Sequence, residues 1–161
     1  MRRLLTGALV GLALALLPVG ASAASPSTIT EYLNGVETGI PPPCLGGSTS
    51  PFSGTAQGPL QGVWWASICH TALGMSAEIL GGDFGLRTPS RLLEGKFLAK
   101  QGSVQWKDEG HFWGTCWQHY TVNGLLTNGT FNATLTHYGA YYSGSCHVYS
   151  ARVSGTATLN V

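Results

Sequence analysis

The sequence contains few charged residues. Asp, Glu, Lys and Arg make up 9% of its 161 residues, whereas an average globular domain has about 25%. The basic residues are scattered along the chain, so they give no electrostatic footprint for nucleic acid or anionic lipid. We therefore expect no nucleic acid partner, and a surface made soluble mainly by Ser, Thr, Asn, Gln and Gly.

The sequence also lacks the short motifs that accompany many catalytic and cofactor sites. It has no G-x-S-x-G nucleophile turn, no H-E-x-x-H zinc motif and no phosphate-binding glycine loop between a strand and a helix. The neighbouring carboxylates Asp108 and Glu109 stand in a predicted turn and would point apart, unlike the carboxylate pair of a glycosidase. The sequence thus indicates no catalytic set, no cofactor and no metal, and enzymatic activity is the less favoured hypothesis.

A long apolar run occurs once, from Leu4 to Leu17, directly after the basic pair Arg2-Arg3. The small residues Ala21-Ser22-Ala23 then match a signal-peptidase site, so the pattern predicts a cleaved signal peptide over residues 1–23. An apolar run of about 14 residues is too short to span a bilayer comfortably. We expect a secreted protein, extracellular or periplasmic, whose mature chain does not insert into a membrane.

Four cysteines follow the predicted leader, and their even number without a C-x-x-C pair predicts two disulfides among Cys44, Cys69, Cys116 and Cys146. If the last three predicted strands form a simple meander, Cys116 and Cys146 lie on the strands that flank the middle one. They would then be about 9–10 Å apart, beyond the usual Cα separation of a bridge. Two pairings stay open: Cys69–Cys116 with Cys44–Cys146, or Cys44–Cys116 with Cys69–Cys146.

Residues 24–51 form a lead-in rich in Pro, Gly and Ser. Within it, Thr28 and Glu31 have the spacing of a capping box, which predicts a short helix around Ile29–Leu33. From residue 52 to residue 161 the pattern predicts a single β domain, because runs of β-branched and aromatic residues are interrupted by Gly, Asn and Pro.

No strand–helix–strand alternation is visible, which argues against a parallel α/β sheet. The predicted fold is all-β, a small antiparallel up-and-down β-barrel, with a two-sheet β-sandwich as the alternative. The segment Gly81–Ser90 is interpreted as a long loop. The predicted strands are Phe52–Gln57, Gln61–His70, Ser76–Leu80, Leu92–Lys100, Ser103–Lys107, His111–Val122, Gly129–His137 and Ser145–Val161.

Histidines end the apolar faces of the last two predicted strands. Alternation places His147 and Tyr149 on the same face as the apolar residues of the final strand, and His137 on the apolar face of the strand before it. We therefore predict a polar cluster of His137, His147 and Tyr149 at one mouth of the barrel, able to bind a ligand or move a proton. The structural alternative is a pair of hydrogen-bonded histidines that seal the barrel end.

Aromatic residues are concentrated in the predicted strand His111–Val122. Trp113 and Trp117 are four residues apart on one face, about 13 Å along the strand, and His119 shares that face. If this face is exposed, the indoles form a platform for a polysaccharide or another flat ligand. If it points inward, they belong to the core.

These patterns favour a secreted, disulfide-stabilised β-barrel that acts by binding. Its partner would be a small molecule, a glycan or an extracellular protein. One alternative is a small secreted hydrolase, lyase or cyclase that uses His137 and His147. Another is a secreted inhibitor or effector that uses the Gly81–Ser90 loop.

Overall fold

The computed structural model describes residues 27–39 and 42–161, so the predicted signal peptide lies outside the described residues. This part of the chain is built from strands, and none of its segments is a helix long and apolar enough to cross a membrane. The strands are β1 (Thr28–Glu37), β2 (Pro43–Cys44), β3 (Gly47–Gln57), β4 (Gly62–His70), β5 (Ser76–Arg87), β6 (Leu92–Phe112), β7 (Thr115–Leu126), β8 (Gly129–Tyr142) and β9 (Ser145–Asn160).

All strands except the short β2 close into one antiparallel barrel. Their order is β1-β9-β8-β7-β6-β5-β4-β3, and the pairing of β3 with β1 completes the circle. The prediction of an all-β, up-and-down barrel is therefore confirmed, and the sandwich alternative is wrong. Closure leaves no long unpaired edge among the described strands, which matters for a protein with few charges available to protect such an edge.

Aromatic rings fill the centre of the barrel. Trp64 stacks on Phe84 with ring centroids 6.5 Å apart, and Phe131 packs against Trp64 at 6.2 Å and against Phe97 at 5.5 Å. The Trp64 indole N–H donates a hydrogen bond of 3.1 Å to the Asn34 carbonyl, so this large ring is buried with its polar atom satisfied. The middle of the barrel is packed core, and candidate ligand sites lie at its ends or on its outer surface.

The helix predicted around Ile29–Leu33 is wrong, because this segment lies within β1. Its residues alternate, with Glu31 and Leu33 buried and Tyr32 exposed. β1 pairs with β9 on one side and with β3 on the other, and this long-range pairing outweighs the local capping pattern. The β domain consequently begins at Thr28, inside the predicted lead-in.

Several predicted connections also prove to be strand. The predicted strands Leu92–Lys100 and Ser103–Lys107 are one long strand, β6, which also includes the predicted turn at 108–110. The pairing of β6 with β7 shifts register between Phe97 and Gly102, so the predicted break at Gln101-Gly102 is a bulge and not a turn. Most of the predicted Gly81–Ser90 loop continues β5 to Arg87, which removes the structural basis of the loop-based effector hypothesis.

Both disulfide pairings favoured from the sequence are wrong. Cys44 is bonded to Cys69, and Cys116 to Cys146, whose Cα atoms are 5.7 Å apart. Cys116 and Cys146 do lie on strands that flank β8, as predicted. However, β8 and β9 shift register between Tyr138 and Gly139, and the bond passes Gly139, which has no side chain. The bulge and the glycine shorten the separation expected for a regular meander. The two disulfides indicate an oxidising compartment.

The crossing at Gly139 generates a prediction. A Cβ atom at this position would lie 3.0 Å from the Cys116 sulfur and 2.6 Å from the His147 carbonyl oxygen. Gly139→Ala should therefore hinder oxidation of Cys116 and Cys146, and loss of this disulfide should lower the free energy of unfolding by about 3–4 kcal/mol. Thiol titration of the denatured protein and guanidinium unfolding measure the two effects.

The control is Gly74→Ala, since a Cβ at Gly74 meets no atom within 4 Å. Complete oxidation and unchanged stability of Gly139→Ala would contradict the proposed crossing.

Candidate functional site

Two hairpins project from one end of the barrel. Residues 106–112 of β6 extend beyond its pairing with β5, and residues 145–151 of β9 extend beyond its pairing with β1. Each hairpin ends in a two-residue turn with positive φ at both positions: 49° and 77° at Trp113 and Gly114, and 52° and 76° at Ser143 and Gly144. These are the dihedrals of type I′ turns, which suit the twist of paired strands.

The two hairpins are joined to each other. The Tyr141 N–H donates to the Gly114 carbonyl at 2.9 Å, and β7 pairs with β8 from Thr115 onward. The Cys116–Cys146 disulfide adds a covalent link between them. Within the first hairpin, the Thr115 hydroxyl donates to the Phe112 carbonyl at 2.6 Å. The hairpin ends therefore form one braced unit, residues 110–117 and 139–149, which we call the aromatic tip.

Exposed rings cover the aromatic tip. Trp113 is 88% exposed, and its ring meets that of Phe112 edge to face at 6.0 Å. Two further pairs are stacked almost in parallel: His111 on Tyr141 at 3.9 Å and Tyr142 on His147 at 3.7 Å. Several large exposed rings close together in the chain are unusual on a soluble protein and mark an interaction surface. The most exposed aromatic residues of the tip are Phe112, Trp113, Tyr142 and Tyr149.

The aromatic tip is uncharged. Its residues include no Asp, Glu, Lys or Arg, and its polar groups are tyrosine, serine and threonine hydroxyls and two imidazoles. Two of these polar groups contact each other, since the Ser145 hydroxyl lies 3.0 Å from His147 Nε2. The tip can therefore offer ring faces together with neutral hydrogen-bonding groups.

The structure changes the predicted tryptophan platform. Trp113 lies in a turn and Trp117 lies in β7, so the prediction that both stand on one face of a single strand is wrong. Trp is not a usual turn residue, so the sequence pattern places the turn too early, at residues 108–110. Trp117 is half-buried against Gly110, where a Cβ would approach its ring to 2.4 Å. His119 is half-buried on β7 and hydrogen-bonds the Asp108 carboxylate.

The predicted cluster of His137, His147 and Tyr149 is divided. His137 lies in the barrel mouth, with its ring 5.2 Å from that of Tyr120. His147 belongs to the aromatic tip, where it stacks on Tyr142, and Tyr149 is exposed. The register shift between β8 and β9 separates them, because it breaks the alternation on which the prediction depended.

A different polar cluster occupies the mouth, and sequence reasoning missed it. The Ser50 hydroxyl lies 3.0 Å from His70 Nε2, and His70 Nδ1 lies 2.7 Å from the Thr71 carbonyl oxygen. The carboxyl group of Glu37 lies near Ser50 in the same mouth. These residues come from β1, β3 and β4, far apart in sequence, so only the alternation of each strand could have indicated that they face inward.

Burial shifts the pKa of three groups at the mouth, His137, Glu37 and Tyr120. It lowers the pKa of His137, and the nearby His70 lowers it further. It raises the pKa of Glu37, an effect that the neighbouring Ser50 and His70 oppose. It also raises the pKa of Tyr120, with Glu109 as a second cause. Among the described residues, no group of three or more His, Cys, Asp or Glu side chains is arranged to hold a metal ion.

Comparison with known proteins returns no relative: no family model, no curated protein and no solved structure matches this chain.

The half-buried His137 predicts a pH dependence of stability. Its folded-state pKa lies below the ordinary 6.5, so the unfolded chain binds more protons as the pH falls through 6.5, and the free energy of unfolding decreases. Glu37 acts in the opposite direction, because its raised pKa makes the folded chain bind more protons above pH 4.5. His137→Gln should therefore flatten the loss of stability below pH 6.5.

Urea unfolding at several pH values measures this slope. His147→Gln is the matched control, since it removes a histidine outside the barrel mouth. An unchanged slope in His137→Gln would contradict the assignment.

Proposed function

We propose that this protein is a secreted glycan-binding module whose aromatic tip contacts a neutral polysaccharide. The predicted signal peptide and the two disulfides support secretion. The packed barrel centre disfavours a small ligand inside the barrel, and the braced tip offers an exposed surface instead.

The observation that carries the proposal is Trp113 in a type I′ turn. This turn favours Asn or Asp before Gly, because those residues tolerate positive φ, while a bulky side chain there is strained. Trp113 is also 88% exposed, so its ring contributes little to the packing of the protein. The residue is poor for folding at this position, and such outliers point to a functional constraint.

The chemistry of the tip fits a sugar polymer. A pyranose ring presents C–H groups on its faces and hydroxyls around its rim. The exposed rings of Phe112, Trp113 and Tyr142 can pack against the C–H faces, while nearby hydroxyls and imidazoles exchange hydrogen bonds with the rim. Because the tip has no formal charge at neutral histidine, a neutral glycan suits it better than a charged partner.

The proposal predicts that folding and binding can be separated at Trp113. Trp113→Asn replaces the indole with a residue that the turn prefers, so the free energy of unfolding should stay the same or rise by up to about 1 kcal/mol. Binding to insoluble chitin or cellulose should weaken about 30-fold or more, because a central Trp anchor is typically worth about 2 kcal/mol. A sedimentation assay measures the bound fraction.

Leu45→Ala is the matched control, since Leu45 is an apolar side chain 97% exposed in a different turn. Failure of the wild-type protein to bind either polysaccharide, or equal binding by Trp113→Asn, would rule out the proposal.

A second candidate function, ester hydrolysis in the barrel mouth, is favoured by the Ser50–His70 contact. A nucleophile within hydrogen-bonding distance of a base that a third group orients is a recurring catalytic arrangement. Here the Thr71 carbonyl would fix the His70 tautomer with a proton on Nδ1, leaving Nε2 to accept the Ser50 proton. However, the group that orients His70 is a backbone carbonyl, whereas a catalytic histidine is typically oriented by a carboxylate, so binding remains the favoured function.

Labelling with a fluorophosphonate tests the second candidate. Hydrolysis by Ser50 requires covalent modification of the wild-type protein that Ser50→Ala abolishes. Ser145→Ala is the matched control, because Ser145 also contacts a histidine Nε2 at 3.0 Å but lies on the tip. Absence of labelling at Ser50 would reject hydrolysis and leave the glycan proposal untouched.

A further inference from the structure

The outer face of three neighbouring strands is rich in hydroxyl and amide groups. β9 lies between β1 and β8, and the outward positions of the three strands are in register. For example, the Thr30 and Thr158 hydroxyls are 3.0 Å apart. We call these positions the hydroxyl face: Thr28, Thr30, Tyr32, Asn34, Val36, Thr130, Asn132, Thr134, Thr136, Tyr138, Arg152, Ser154, Thr156, Thr158 and Asn160.

A groove of about 530 Å³ crosses the hydroxyl face where β1 meets β3. Gly35 and Gly54 pair directly with each other and form part of its lining. Their positions face the barrel interior, where a Cβ at Gly35 would lie 2.5 Å from the Trp64 ring, so the groove is lined by backbone at that point. Polar side chains from four strands surround it, including Asn34, Thr55 and Thr134. This volume lies within the range of small-molecule sites, about 300–1,000 Å³.

Arg152 gives the groove a positive charge. It is the single charged side chain of the hydroxyl face, and its guanidinium carbon lies 5.8 Å from the centre of the Tyr138 ring, which also lines the groove. Two carboxylates on other strands are occupied elsewhere. Asp108, three strands away on β6, hydrogen-bonds His119, and Glu37 lies near Ser50 in the barrel mouth.

We propose that this groove is a second binding site, separate from the aromatic tip, and that it binds a sugar unit bearing a carboxylate. Arg152 supplies a planar fork of donors that matches a carboxylate. Tyr138 supplies a ring for the sugar face, and the Ser, Thr and Asn side chains can both donate to and accept from sugar hydroxyls. An acidic sugar is the ligand that uses all three features at once, and the inference does not depend on glycan binding at the tip.

Trigalacturonate and its trimethyl ester test this inference, since they share the same sugar chain and differ only at the carboxyl groups, which are charged in the acid and neutral methyl esters in the other. Isothermal titration should show that the wild-type protein binds the acid about tenfold or more tightly than the ester, because hydrogen bonds to charged groups are the stronger ones. Arg152→Gln should abolish this preference. Thr55→Trp should weaken binding of both forms by filling the groove without removing the charge.

Three controls establish whether the preference for the acid arises in this groove. Arg91→Gln removes an exposed arginine outside the groove, and Trp113→Asn alters the tip; both variants should retain the preference for the acid. Inorganic phosphate should compete weakly, since it lacks the sugar ring. Equal binding of acid and ester, no binding, loss of the preference in Arg91→Gln or Trp113→Asn, or phosphate binding as tight as that of trigalacturonate would overturn the proposal.

Discussion

β1 pairs with a neighbouring strand on each of its edges, and the barrel core, the barrel mouth and the outer groove all depend on this double pairing. By lying between β9 and β3, β1 turns an open sheet into a closed barrel. The same strand places Leu33 in the core, Glu37 beside Ser50 in the mouth and Asn34 at the outer groove. The period of two in a strand assigns these neighbours to opposite sides of the wall, so one segment contributes to core, mouth and groove together.

The aromatic tip depends on a second constraint, the Cys116–Cys146 bond across β8. A two-stranded hairpin on its own is marginally stable in water, so it would not hold exposed rings in a defined arrangement. Here the pairing of β7 with β8 continues as far as the hydrogen bond between Tyr141 and Gly114. The disulfide links β7 to β9, the strand on the other side of β8. The backbone that carries the rings is thereby held in place, which would reduce the ordering cost of the proposed glycan binding.

The sequence predicts the barrel and much of its core because alternation sets the facing of each strand. Leu135, Val153 and Leu159 are buried as that alternation requires. It could not predict the disulfide pairing, which depends on a bulge next to Gly139, or the turn at Trp113, whose residue type is unusual there. Nor could the sequence predict the Ser50–His70 contact, because local patterns do not determine the register of the two strands that it joins. The missed features are those where local preference and tertiary structure disagree.

The most direct test of glycan binding at the tip is to follow the indole N–H signals of the five tryptophans by NMR during titration with chitohexaose and cellohexaose. Trp113 is exposed at the tip and Trp64 is buried in the barrel centre, so one oligosaccharide should shift the Trp113 signal and leave that of Trp64 in place. If neither sugar moves the Trp113 signal, or if only signals remote from the tip respond, the tip is not a glycan site.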